Sequence, residues 1–321
     1  MSKIDVLVVW PNRPEQMQML ADTYELHRYD LANEAEKSAM IEAVGHKIRA
    51  VATTHGGGFN DTLLAQLPNL EIVCSSSVGL DTICVQACHE RGIPVTNTPD
   101  VLTDDVADMA MMLTLTTLRR MLPGVAWIKS GNWVEKGMMP LNTSLRGKTL
   151  GIVGLGRIGK AIAARAEAFG MNISYFSRQA KTDVRYRHYD DLIALAKDVD
   201  VLAPVIPGGA ATEGLISRDV LSALGEDSFF INVSRGSVVD EAALVELLEQ
   251  RAIKGAGLDV YIDEPNVPQA LLAMDHVVLQ PHCASGTFET RAAMAQLVVD
   301  NLAAHFADKP LLTPVVTKIK S

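Results

Sequence analysis

Nothing in this 321-residue chain is apolar for the length a bilayer demands. The longest N-terminal run, Val6-Leu7-Val8-Val9-Trp10, has buried-strand length, and no cleavage-type sequence follows it, which argues against a membrane span and a secretory signal. Sustained Lys/Arg runs are missing too, and the net charge is −9, so a nucleic-acid surface is not expected and any anionic ligand must be held by local groups. Four cysteines (Cys74, Cys84, Cys88, Cys283) are too few for a secreted disulfide framework, and a reducing cytoplasm is the expected home. Cys84, Cys88 and His89 could share a helical face, but further ligands at suitable spacing are lacking, so no metal site is expected.

What is present is alternation. Short β-branched runs at 6–10, Ile48–Thr53, Ile72–Ser75 and 93–96 are separated by helix-like segments, among them 61–66 and 82–91, the latter stopped by Gly92. Thr98-Pro99-Asp100 interrupts the pattern, and a long apolar helix is predicted over 103–121, ended by Pro123-Gly124. A second alternating block supplies strands at Thr149–Val153, 173–176, Val201–Pro204, 229–233, 256–260 and Val277–Leu279, the strand count of a dinucleotide-binding domain. A helix with one apolar face is predicted over 287–312. The fold class is therefore α/β, with two doubly wound parallel sheets.

Gly154-Leu155-Gly156-Arg157-Ile158-Gly159 follows the apolar strand Leu150-Gly151-Ile152-Val153 and opens a helix. In that setting Gly154 makes the turn, Gly156 admits a pyrophosphate and Gly159 lets helix pack on strand, the anion lying at the helix N-terminus. An acidic residue about 20 positions on would bind the ribose hydroxyls and repel a 2′-phosphate. None stands there: the next strand runs into Ser177-Arg178-Gln179-Ala180-Lys181, whose hydroxyl and cations suit a 2′-phosphate. NADP(H) is the expected cofactor, with NAD(H) the alternative.

Downstream, Arg235 lies in Asn232-Val233-Ser234-Arg235-Gly236, Glu264 in Asp259-Val260-Tyr261-Ile262-Asp263-Glu264-Pro265, and His282 in Gln280-Pro281-His282. Singly, each has an ordinary alternative: a cap or a neighbour's ion pair for Arg235, a solvated turn for Glu264, a structural imidazole for His282. Together, a guanidinium, a carboxylate and an imidazole are what reduction of a 2-keto acid requires. With the glycine fingerprint, these segments resemble the D-isomer-specific 2-hydroxyacid dehydrogenase family over most of the chain.

The resemblance implies Arg235 on the substrate carboxylate and carbonyl, His282 as the acid, and Glu264 orienting it. It implies a flavodoxin-like substrate domain of 1–99 plus 287–321, a Rossmann domain of 100–286, and a cleft between them. Val233, Pro207, Thr212 and Asp259 would join the cofactor contacts, although Pro207-Gly208-Gly209 departs from the commoner Pro-Leu-Thr turn. Val78 and Gly79, in Ser77-Val78-Gly79-Leu80-Asp81, would form the carboxylate-binding nest. Gly56 and Gly57, in Thr54-His55-Gly56-Gly57-Gly58-Phe59, would face the substrate. That loop has no cation for a phosphate, which points to glyoxylate or hydroxypyruvate; His55 has two readings, a hydroxyl contact and a solvent-exposed loop residue.

The apolar loop 133–141 would sit at a homodimer interface, its Met138, Met139 or Leu141 reaching the partner's site or merely packing. Cys283 has no evident role. The leading expectation is an NADPH-linked glyoxylate/hydroxypyruvate reductase. The alternatives are an NAD-linked dehydrogenase of 2-ketogluconate, D-lactate or phosphoglycerate type, and a non-catalytic, dinucleotide-sensing corepressor. A phosphoglycerate enzyme is expected to carry a regulatory domain, for which no sequence is seen here.

Overall fold

The computed structural model describes residues 3–316. The chain clusters into two compact units, one built from the residues through Leu102 and those from Gly286 onward, the other from Thr103–Ser285.

In the first unit, β1 (Asp5–Val8), β2 (Glu25–Arg28), β3 (Ile48–Thr53), β4 (Ile72–Ser75) and β5 (Val95–Thr96) form one sheet in the order β2-β1-β3-β4-β5. Every pairing is parallel. This is the flavodoxin-like order, in which central strands are apolar on both faces because helices cover both. On one face Val6, Ala50, Ala52, Ile72 and Cys74 pack with Leu20, Val298 and Leu302, from helices Pro14–Thr23 and Phe288–Phe306. On the other, Leu7, Val51 and Val73 pack with Ile41, Leu63, Leu64 and Cys88.

The second unit holds β6 (Thr149–Val153), β7 (Asn172–Phe176), β8 (Arg187–Tyr189), β9 (Val201–Pro204), β10 (Phe229–Asn232), β11 (Gly255–Leu258) and β12 (Val277–Leu279). Their order is β12-β11-β10-β9-β6-β7-β8, parallel throughout. The order reverses between β6 and β9, where an open α/β sheet leaves a crevice at its carboxyl edge. In β11 a Cβ on Gly257 would fall 2.9 Å from Leu113 Cβ, and one on Gly255 3.2 Å from Thr117 Cγ2. Helix Thr103–Leu118 therefore seats directly on that strand.

Several elements differ from the sequence-based expectation. The strands β2 and β8 are additional; the apolar helix stops at Leu118, not at Pro123-Gly124. Arg120 adopts a left-handed φ of 48° and a new helix, Met121–Lys129, starts after it. Pro123 lies in that helix's first turn, where no intrahelical partner for its N–H is needed. Four of the nine residues of the expected loop 133–141 are helical, within Asn132–Lys136. The helix expected over 82–91 is only Val85–Glu90, and the C-terminal helix ends at Phe306. Among the described residues, no helix is long and apolar enough to cross a membrane, and no cluster of three or more His, Cys, Asp or Glu could hold a metal ion. Burial pushes the Cys88 thiol up to about 12 and raises Cys84 as well.

Candidate active site

The glycine fingerprint lies where β6 runs into helix Arg157–Ala168. Gly154 has φ +102°, and a Cβ there would meet Val205 O and Ile206 Cγ2 at 2.6 Å. A Cβ on Gly159 would approach Gly154 O to 2.4 Å, so helix and turn are flush. At Gly156, the N-cap, nothing stands within 4 Å of a Cβ. Folding requires the outer two glycines; the middle one leaves a bare, open backbone at a 12-residue helix's N-terminus. That is the cradle a pyrophosphate needs, and the residues fit a dinucleotide.

After β7, Ser177 Oγ donates to Gln179 O at 2.6 Å and His188 Nε2 lies 2.9 Å from Ser177 O. Lys181 N donates to the Tyr175 hydroxyl at 2.7 Å. This bracing leaves the Arg178 and Lys181 side chains exposed on a shaped turn. After β9, Thr212 Oγ1 donates to Pro207 O at 2.7 Å, closing the 207–212 loop on itself.

Arg235, Glu264 and His282 follow three adjacent strands. Asn232 pairs with Leu258, and Leu258 with Leu279, so β10, β11 and β12 end in one row. Arg235 and His282 lie three residues beyond that row. The Asn232 side chain builds the first turn: Oδ1 accepts from Ser234 N and Oγ, and Nδ2 donates to Arg235 O at 3.0 Å. Arg235 Nη1 donates to Ser234 O at 2.7 Å. Gly236 then lies against the next strand end, where a Cβ would fall 2.0 Å from Tyr261 C and 2.4 Å from Ile262 N.

His282 Nδ1 and Glu264 Oε2 are 2.6 Å apart, each side chain about one-third exposed (34% and 32%). A second hydrogen bond, from Tyr261 N to Glu264 Oε1 at 3.0 Å, fixes the carboxylate. Burial pushes this carboxyl up, but the His282 and Tyr261 hydrogen bonds and the charges of His282 and Arg235 outweigh it and hold Glu264 below the usual range. His282 has φ +50°, a left-handed conformation that a non-glycine residue adopts only where its surroundings enforce it. The enforcing group is Asp259, fully buried, whose backbone O accepts from His282 N at 2.8 Å. Its carboxylate oxygens accept from Cys283 N and Ala284 N, at 2.8 and 2.9 Å. Burial pushes the Asp259 carboxyl up despite these contacts. Asp259 and Val233, both expected among the cofactor contacts, are buried, and Asp259 also holds the histidine's turn. Tyr261 donates its hydroxyl to Gln280 O at 3.0 Å, joining the ends of β11 and β12.

Sequence reading passed over Asn232, Tyr261 and Glu241. Asn232 had a visible signal, since a side-chain amide at a strand end commonly builds an Asx turn.

In the first unit the expected substrate segments follow the neighbouring strands β3 and β4, in register through Thr53 and Ser75. A Cβ on Gly57 would lie 2.7 Å from Trp10 Cβ, and Gly58 has φ +63°. Trp10 Cβ and Thr53 Oγ1 therefore account for the bareness of Gly57, whereas Gly56 has only ordinary contacts at 3.7 and 4.0 Å. Asn97 Nδ2 donates to Val78 O and Ser77 Oγ to Gly79 O, fixing the 77–79 turn. His55, for which a hydroxyl contact and solvent exposure were both open, has Nε2 2.7 Å from Asp81 Oδ2, and Thr82 Oγ1 donates to its carbonyl.

The profile of "D-isomer specific 2-hydroxyacid dehydrogenase, NAD binding domain" matches residues 111–284. The chain belongs to the D-isomer specific 2-hydroxyacid dehydrogenase family. It is similar to glyoxylate/hydroxypyruvate reductase A of Arabidopsis thaliana, 46% identical over 316 residues, 98% of this chain and 100% of the relative. Similarity to 2-ketogluconate reductase of Gluconobacter oxydans is 43% identity over 98% of this chain and 99% of the relative. Among solved structures, NADPH-dependent glyoxylate/hydroxypyruvate reductase of Sinorhizobium meliloti, in complex with NADP and malonate, superposes with a TM-score of 0.91. That protein is 44% identical, with 98% of this chain and 97% of that chain covered. Family membership makes this chain an oxidoreductase with an NAD-binding domain.

Proposed function

We propose that this protein is an NADPH-preferring reductase that converts glyoxylate or hydroxypyruvate to the corresponding D-2-hydroxy acid. The observation that carries the reading is the His282–Glu264 pair beside Arg235, on adjacent strand ends of a dinucleotide-binding sheet. Bound NADPH would supply the hydride. Arg235 pairs with the substrate carboxylate and draws charge onto the carbonyl oxygen. His282 delivers a proton from Nε2 to that oxygen, because Nδ1 is occupied by Glu264. Glu264, kept ionised, orients the ring through its contact to Nδ1. Val78, Gly79, Gly56 and Gly57 are assigned to the substrate. Gly156, Arg157, Ile158, Thr212 and Pro207 are assigned to the cofactor.

Exposed Arg178, with Ser177 and Lys181 on the same turn, is assigned to the 2′-phosphate. The Sinorhizobium meliloti relative, whose structure holds NADP, supports that choice. A longer sugar keto acid is the second reading, favoured by the Gluconobacter oxydans relative. A panel of glyoxylate, hydroxypyruvate, pyruvate and 2-ketogluconate with each cofactor tests both. Arg178→Ala is expected to lower the NADPH/NADH ratio of kcat/KM about tenfold or more, through loss of a charge-assisted phosphate contact. An unchanged ratio would remove Arg178 from the cofactor site.

A homodimer in the cytoplasm completes the reading. Trp133, Val134, Met138 and Leu141 are 62, 93, 79 and 85% exposed, next to exposed Met121, Leu122, Val125 and Ile128. So much bare apolar surface on neighbouring segments favours a second copy over solvent. Light scattering should give twice the 34.7 kDa chain mass, and Val134→Glu with Leu141→Glu should halve it; a monomeric parent protein would refute the dimer. A content of four cysteines, too few for a secreted disulfide framework, agrees with a reducing compartment.

A further inference from the structure

The loop that carries Glu264 is held by a carboxylate that plays no part in the chemistry above. Two consecutive N–H groups of this loop point to two different acids. Tyr261 N donates to Glu264 itself, and Ile262 N donates to Glu241 Oε1 at 3.0 Å. Glu241 begins helix Glu241–Glu249, but the capping of that helix belongs to Asp240, whose Oδ1 accepts from Ala243 N at 3.0 Å. The Glu241 side chain is turned instead to a segment 21 residues away. The surroundings oppose a charge there. Burial pushes the Glu241 carboxyl up, and the charges of Asp263 and Glu264 add to that. A half-buried carboxylate beside two others costs stability, so the site is not explained as a device for folding.

We propose that Glu241 is a positioning residue: by accepting the Ile262 N–H it fixes the Tyr261–Glu264 turn, and with it the carboxylate that orients His282. The proposal rests on the reading of His282 and Glu264 as the proton-delivering pair. Gly236, flush against Tyr261 and Ile262, limits that turn from the Arg235 side, and Glu241 holds it at Ile262 N.

Glu241→Ala and Glu241→Gln separate this role from a merely structural one, because glutamine keeps an acceptor oxygen and removes the charge. With glyoxylate and NADPH, Glu241→Ala is expected to lower kcat roughly ten- to hundredfold through misplacement of the acid, with glyoxylate KM and NADPH Kd within about twofold of the parent. Glu241→Gln should recover kcat to within about threefold, with a melting temperature no lower than the parent's, since like-charge crowding is relieved. The downfield proton resonance of the His282–Glu264 hydrogen bond should weaken in Glu241→Ala and persist in Glu241→Gln. An unaltered kcat in Glu241→Ala, or a Glu241→Gln variant as impaired as Glu241→Ala, would overturn the proposal. A parent protein that reduces no keto acid would instead overturn the functional reading on which it rests.

Discussion

His282→Asn is expected to lower kcat for glyoxylate reduction by roughly a thousandfold, the scale of a lost general acid, while NADPH Kd stays within about twofold. Asparagine suits this test because it tolerates left-handed backbone better than most residues, and His282 sits at φ +50°. The Asp259 contacts to His282 N, Cys283 N and Ala284 N are made to backbone N–H groups and survive the exchange. The loss should therefore appear in the chemical step, not in folding or cofactor affinity, as single-turnover rates and fluorescence titration would show. A variant with kcat near the parent's would take His282 out of the reaction.

Gly236→Ala should be the most damaging small substitution near the site. Its methyl would enter the Tyr261–Ile262 backbone at 2.0–2.4 Å, where no side chain can swing aside. Overpacking against backbone costs about 3 kcal/mol, which for a unit of this size lowers the melting temperature by roughly 10 °C. The displacement also acts on the turn between Arg235 and Glu264, so kcat should fall at temperatures where the variant is fully folded. Calorimetry and a glyoxylate assay at 15 °C would check both halves. Parent-like melting would show that the two strand ends are less tightly apposed than these distances imply.

The central strands were legible in the sequence because helices cover both sheet faces, leaving mainly apolar runs such as Ile48–Thr53 and Val201–Pro204. Glu25–Arg28 and Arg187–Tyr189 were not, because each is a sheet edge and half-exposed. With one side facing solvent, polar residues such as His27 and Arg187 are tolerated, and the apolar signal disappears. The break at Arg120 was hidden because its left-handed turn carries neither glycine nor proline. Arg235, Glu264 and His282 could be found because each follows an apolar strand in a recognisable segment. Glu241 could not, because an acid after Asp240 reads as an ordinary helix start, and its partner at Ile262 is made by folding alone.

The buried phenol that links Leu258 and Gln280 carries a further consequence. Burial pushes the Tyr261 hydroxyl up to about 12, so it keeps its hydrogen through the mildly alkaline range in which dehydrogenases are assayed in the oxidative direction. This fastener between two strands is therefore insensitive to buffer choice across that range. Rate changes between neutral and alkaline buffers would then report ionisation at the loop tips, not loosening of the sheet edge beneath them.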